Sequence, residues 1–201
     1  MKSGRLVAVA TWLCLAAWLS VLVAAAISAT FTFAVLTHLD IDVSGLPWTD
    51  SADHGRYAAG RVMEPIFFTV DLMQVIAAGG LVITLLARAI MQDPPWRGSL
   101  GLLRTIAVAI ALGSFGGRAV LLTPKMNTEL RAMWGAAEAG DIDTANVHRA
   151  AFDRYHPTAS RLYQVTLFAV FGTIILTAMA DTAPRTRPDL GEPALLRGAR
   201  P

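Results

Sequence analysis

Residues 61–88 read RVMEPIFFTVDLMQVIAAGGLVITLLAR, an apolar segment long enough to cross a bilayer that still carries Glu64, Asp71 and Gln74. At roughly 100° per residue, Glu64, Asp71 and Ala78 fall on one stripe of a helix, with Arg61 and Gln74 beside it. An aspartate at the centre of a lipid-facing helix costs about 2.5–3.5 kcal/mol. Asp71 must therefore be sheltered by another part of the chain.

Composition sets the medium. Of the 201 residues, 54% are hydrophobic and 16% charged, and the mean hydropathy is +0.50; soluble domains carry about a quarter charged residues. The chain is read as an integral membrane protein in contact with the lipid bilayer. Its formal net charge is only +2, with 17 basic residues spread along the chain, so nucleic acid is not indicated as a partner. Cys14 is the single cysteine, which excludes an intrachain disulfide or a cysteine metal cluster.

The hydropathy pattern predicts an all-α fold, an antiparallel four-helix bundle forming one transmembrane domain over residues 1–180. Its spans cover about 8–38, 60–90, 99–122 and 158–180, and residues 181–201, rich in Arg and Pro, form a disordered cytoplasmic tail. The first apolar run, Leu6–Leu39, is too long for a signal h-region and is read as a retained helix. Residues 40–57, DIDVSGLPWTDSADHGRY, carry turn chemistry and four aspartates and read as a solvent loop. Pro65 falls in the first turns of the second helix. Residues 92–98, QDPPWRG, are a short connection that makes helices two and three antiparallel neighbours.

Pro124 is expected to end the third span. Two short outer-face helices should follow: one with Met126, Leu130, Met133, Trp134 and Ala137 at helical spacing, broken at Gly140-Asp141, and one capped by Asp143. Pro157 then opens the last span.

Lys and Arg distribution favours both termini on the cytoplasmic side of a bacterial inner (plasma) membrane, because the two outer connections collect most of the acids. In this topology His38, Glu64, Asp71, Arg118 and His156 share the outer half of the bundle and form the candidate binding site. An Asp71–Arg118 pair is either an ion or proton relay or a contact fixing helix register. His38, Glu64, His148 and His156 are the candidate metal or haem ligands, although no H-x-x-x-H or E-x-x-H pairing is present. No cofactor is the simpler expectation. The chain has no G-x-S-x-G elbow, P-loop or dinucleotide fingerprint, so an enzyme of soluble type is not indicated. Three readings stay open: binding or passing a small ion or solute; an accessory subunit that packs or self-associates through the small residues around Ala77–Gly80 and Gly113–Gly117; and a metal- or haem-dependent redox protein.

Three stretches also resemble a known family: SATFTFAVLTHL (28–39), LLTPKMNTELR (121–131) and FDRYHPTASRLYQ (152–164). They are similar to the domain of unknown function 4149, or transmembrane-protein-205-like, family. The resemblance implies four spans, a proline closing the third, and a Phe, His and Ser pattern opening the fourth, here Pro124, Phe152, His156 and Ser160. Pro157 and the long first helix depart from that pattern. The family has no established reaction, so the resemblance implies architecture and little mechanism.

Overall fold

The structure is a computed structural model that describes residues 2–48, 50–91 and 98–182. Among these residues all regular structure is helical. The elements are α1 (Lys2–His38), α2 (Ser51–Met91), α3 (Gly98–Gly116), a π-helical segment (Gly117–Leu122), α4 (Thr123–Glu138) and α5 (Ile142–Thr182). Four helical runs, Gly4–His38, Ser51–Met91, Gly98–Glu138 and Ile142–Thr182, are long and apolar enough to cross a membrane, which makes the chain a four-helix bundle of multi-pass type. The expected tail from 183 onward and the connection 92–97 lie outside the described residues.

The close helix pairs are α1 with α2 and α3 with α5. The short connection between α2 and α3 suggested that those two would be the close neighbours; instead they meet through side chains in the centre of the bundle. There Leu15, Trp18 and Leu22 of α1 pack with Ala77, Ala78 and Leu81 of α2, Val108, Ala111 and Phe115 of α3, and Val170 of α5. Trp18 meets Phe115 edge-on at 6.1 Å between ring centroids, a favoured aromatic geometry. The buried hydroxyls of Thr166, Thr173 and Thr177 on α5 each bond a carbonyl of their own helix. These threonines therefore cross the apolar region without needing any further partner.

The two short outer-face helices are not seen. Pro124 does not end the third span, because the helix absorbs it. Lacking an N–H, Pro124 leaves the carbonyl of Val120 without its usual partner, and the helix widens just before it, with the Thr123 N–H bonding the Arg118 carbonyl five residues back. The first expected short helix is thus α4, a direct continuation of α3. The second is the first half of α5, which runs 41 residues through Pro157. Both Pro157 and Asp153, whose carbonyl the proline leaves unbonded, are exposed, so solvent satisfies that carbonyl and the helix need not break. Pro65 likewise lies in the interior of α2, which begins at Ser51.

The break between α4 and α5 falls where the sequence places it, at Gly140, whose φ of +78° suits glycine. The N-cap of α5, however, is Asp141, which accepts the Thr144 backbone N–H at 3.0 Å; Asp143 lies inside the helix. That bond holds the Asp141 carboxyl below its usual range. Its contribution to the cap is therefore present above the ordinary aspartate range and fades as pH falls through the lowered value.

Residues 39–48 are not a free solvent loop but fold back on the helix ends. His54 accepts the Val43 N–H on Nδ1 (2.9 Å) and donates from Nε2 to the Trp48 carbonyl (2.7 Å). Trp48 packs with Ala137 and Ala145 in a second small core. Gly55 makes this corner possible, since a Cβ there would overlap the Leu36 carbonyl of α1.

Gly55 and Gly79 should respond to alanine with opposite signs. Gly79 faces open space, so Gly79→Ala gains helix propensity, up to about 1 kcal/mol. Gly55→Ala must push two backbones apart and should cost about 1–3 kcal/mol. Thermal unfolding of the two variants in one detergent checks this; equal behaviour would contradict the α1–α2 contact.

Candidate functional site in the cleft beside Asp71

α1 is joined to α5 by side chains at two levels, Tyr163 Oη donating to the Leu22 carbonyl (2.7 Å) and Trp12 Nε1 donating to Asp181 (3.3 Å). From Ala25 to Thr37, α1 faces an open cleft of about 1560 Å³ whose other walls are α2, α4 and α5. Ligand pockets for drug-sized molecules occupy about 300–1,000 Å³. The cleft is therefore roomier than a bare ion requires.

Its floor is the residue that organises the sequence. Arg118, carried on the π-helical segment, meets Asp71 with Nη2 to Oδ1 at 2.5 Å and Nη1 to Oδ2 at 3.4 Å. The side chains are 9% and 21% exposed, respectively. Gln74, one turn further along α2, donates to Asp71 Oδ1 at 3.2 Å and accepts the Trp18 indole N–H at 3.4 Å. The guanidinium of Arg118 also lies between two rings, 5.8 Å from Phe115 and 5.4 Å from Tyr163. Every element of the pair is thereby held: the carboxylate by three N–H groups and the cation by two aromatic faces. Beneath it the packed core of Trp18, Phe115 and their neighbours closes the cleft.

The remaining expected site residues separate into two groups. Glu64 lines the cleft and pairs with Arg131 on α4 at 2.8 Å. His156 also lines it, stacked on Phe152 at 5.3 Å. His38 is exposed at the end of α1 and does not line the cleft, and His148 pairs with Glu129 at 2.8 Å away from it. The four candidate metal ligands His38, Glu64, His148 and His156 are thus not brought together. Among the described residues no group of three or more His, Cys, Asp or Glu side chains converges on a common point.

The structure adds residues that the sequence alone did not single out. Trp18 and Gln74 are fully buried. Gln74 was visible as a neighbour of the stripe, but its link to Trp18 depends on how α1 docks. Near the cleft mouth Trp48, Tyr57 and Trp134 form a row with ring centroids 6.4 and 6.1 Å apart, and Arg61 lies 4.9 Å over the Trp134 ring. At the opposite end of the bundle Arg88 reaches Asp181 at 3.5 Å, the same carboxylate that Trp12 meets.

The pair can be tested by removing one charge and then both. Arg118→Met leaves Asp71 uncompensated; because a fifth of that side chain opens onto the cleft, the expected cost is about 3 kcal/mol, the low end for a broken buried pair. Adding Asp71→Leu should recover most of it. Equal stability of the single and double variants in thermal unfolding would show that the two side chains are not coupled.

Comparison with protein-family models, with curated proteins and with solved structures gives no match for this chain.

Proposed function

We propose that this protein binds a small amphipathic molecule in the cleft between α1, α2, α4 and α5. The observation that carries this reading is the form of the cleft: about 1560 Å³, walled by side chains such as Phe33, Phe67, Met126 and Leu167, with Asp71 and Arg118 at its floor and Glu64 and His156 higher up. Large apolar walls with a few convergent polar groups are the usual make-up of a small-molecule site. A bare ion would leave most of that wall unfilled.

Binding is favoured over passage. Leu15, Trp18, Leu22 and Leu81, each no more than 1% exposed, lie in the core below the pair, and any through path would have to part them. Of the two small-residue faces on which the accessory-subunit reading rests, the first is largely used inside the bundle, since Ala77 and Ala78 are buried and a Cβ on Gly80 would lie 2.8 Å from Cys14 Sγ, whereas Gly79 and, on the second, Gly113 face open space. The resemblance to the transmembrane-protein-205-like family rests on residues 28–39, 121–131 and 152–164 and supplies no reaction. Both termini are proposed to be cytoplasmic, on the Lys and Arg distribution.

An alkyl diazirine fatty acid is a suitable probe of the cleft. Saturable photoadducts are expected on Leu130 and Leu167, and Ala29→Trp, which fills the cleft, should abolish them. Adducts confined to outward-facing Ile76, Ile83 and Phe168 would contradict a binding cleft. For orientation, Ser44→Cys should react with a membrane-impermeant maleimide in intact cells and Ser99→Cys should not; the reverse pattern would invert the topology.

A further inference from the structure

The charge pair at the floor is internally satisfied, whereas the wall near the mouth is not. Trp48 and Trp134 are 8% and 2% exposed, both line the cleft, and the indole N–H of each is buried without an acceptor. A buried donor left unbonded is costly, so two on one wall require an explanation. Arg61 stands over Trp134 and, among the described residues, meets no carboxylate. Its neighbours on the same wall are accounted for: Asp53 receives both Arg56 (2.8 Å) and Arg149 (2.9 Å), and Glu64 receives Arg131 (2.8 Å). Asp153 also acts on Arg149. Three of the four arginines on this wall, Arg56, Arg131 and Arg149, thus meet carboxylates, and among the described residues Arg61 is the one left over.

A group made of acceptors alone and carrying negative charge would complete this wall. Height within the bundle narrows the source. Arg61 and Arg88 bracket the apolar stretch of α2, so Arg61 lies at the level of lipid headgroups, and Asp71 is ten residues, about 15 Å, deeper. Between these levels the wall is apolar, with Met63, Phe67 and Phe68 on α2 and Ala29 and Phe33 on α1. That order, acceptor-seeking wall at headgroup depth and apolar cleft below, matches a lipid standing upright in the leaflet better than a freely soluble anion.

We propose that the cleft holds an anionic phospholipid, its phosphate and glycerol-ester oxygens facing Arg61 and the indole N–H groups of Trp134 and Trp48, its acyl chain descending the cleft along the α1 and α2 walls toward Asp71. This rests on the reading of the cleft as an amphiphile site and names the class of its occupant. The Asp71–Arg118 pair limits the depth to which the chain reaches and takes no part in recognising the head.

The full chain, reconstituted in vesicles of equimolar phosphatidylglycerol and phosphatidylcholine and re-extracted into mild detergent, should retain phosphatidylglycerol over phosphatidylcholine by about tenfold, the factor worth 1.4 kcal/mol. Arg61→Gln should bring the ratio near parity while total retained lipid stays unchanged. Trp134→Phe, which leaves an aromatic face under Arg61 but removes the N–H together with the five-membered ring, should lower the ratio in a chain that folds as the parent does. Soluble glycerol phosphate at millimolar concentration should not displace the lipid; full displacement would overturn the lipid in favour of a soluble anion. Parity in the parent, or a ratio unchanged in both variants, overturns the anionic class, while lipid loss in Ala29→Trp would leave the cleft reading standing. If Ala29→Trp retains as much lipid as the parent, both inferences are overturned.

Discussion

A carboxylate held in hydrocarbon must be matched where it stands, and in this bundle the matching of Asp71 links three of the four helices. Arg118 comes to it from the π-helical turn after α3, Gln74 supports it from its own helix, and Trp18 of α1 closes on Gln74 from below. The energetic logic is asymmetric. Two charges brought out of water together roughly break even, whereas either one alone is strongly unfavourable. The pair is therefore a poor source of net stability but a strict condition on register: any slip of α2 against α3 that separates Asp71 from Arg118 strands both.

The π-helical turn belongs to the same condition. Pro124 cannot supply an N–H to the turn before it, and the helix answers by widening by one residue over Gly117–Leu122. Widening rotates α3 relative to α4, so that Arg118 faces α2 inside the bundle while Arg131, on the same continuous helix, faces Glu64 at the cleft. A proline that ended the span would have left α4 as a separate surface helix and the cleft without its fourth wall.

Floor and upper wall differ in what they leave unused. At the floor every strong donor and acceptor is spoken for, by Asp71, Arg118, Gln74 and the rings of Phe115 and Tyr163. Higher up, two indole N–H groups are buried without acceptors, that of Trp134 in the ring over which Arg61 stands. In a low-dielectric setting unspent donors are the more informative feature, because they cost free energy until a partner arrives. The residue that marks the site in the sequence is thus not the group best placed to recognise a ligand.

Hydropathy and residue spacing alone determined the medium, the helical class and the number of spans, because a chain crossing hydrocarbon must bond its own backbone and long apolar runs do so only as helices. The same reasoning picked out Asp71 and paired it with Arg118, since an intramembrane charge needs an opposite charge at a similar depth. Tertiary structure decided the rest. Whether Pro124 and Pro157 end a helix depends on where the orphaned carbonyl finds a partner, in a widened turn for one and in solvent for the other. His38, His148 and His156 look alike in sequence, yet one is exposed, one pairs with Glu129 and one lines the cleft. The cleft itself is the space left where α1 and α5 stand apart, and a space is a property of how four helices lie together that no single stretch of residues encodes.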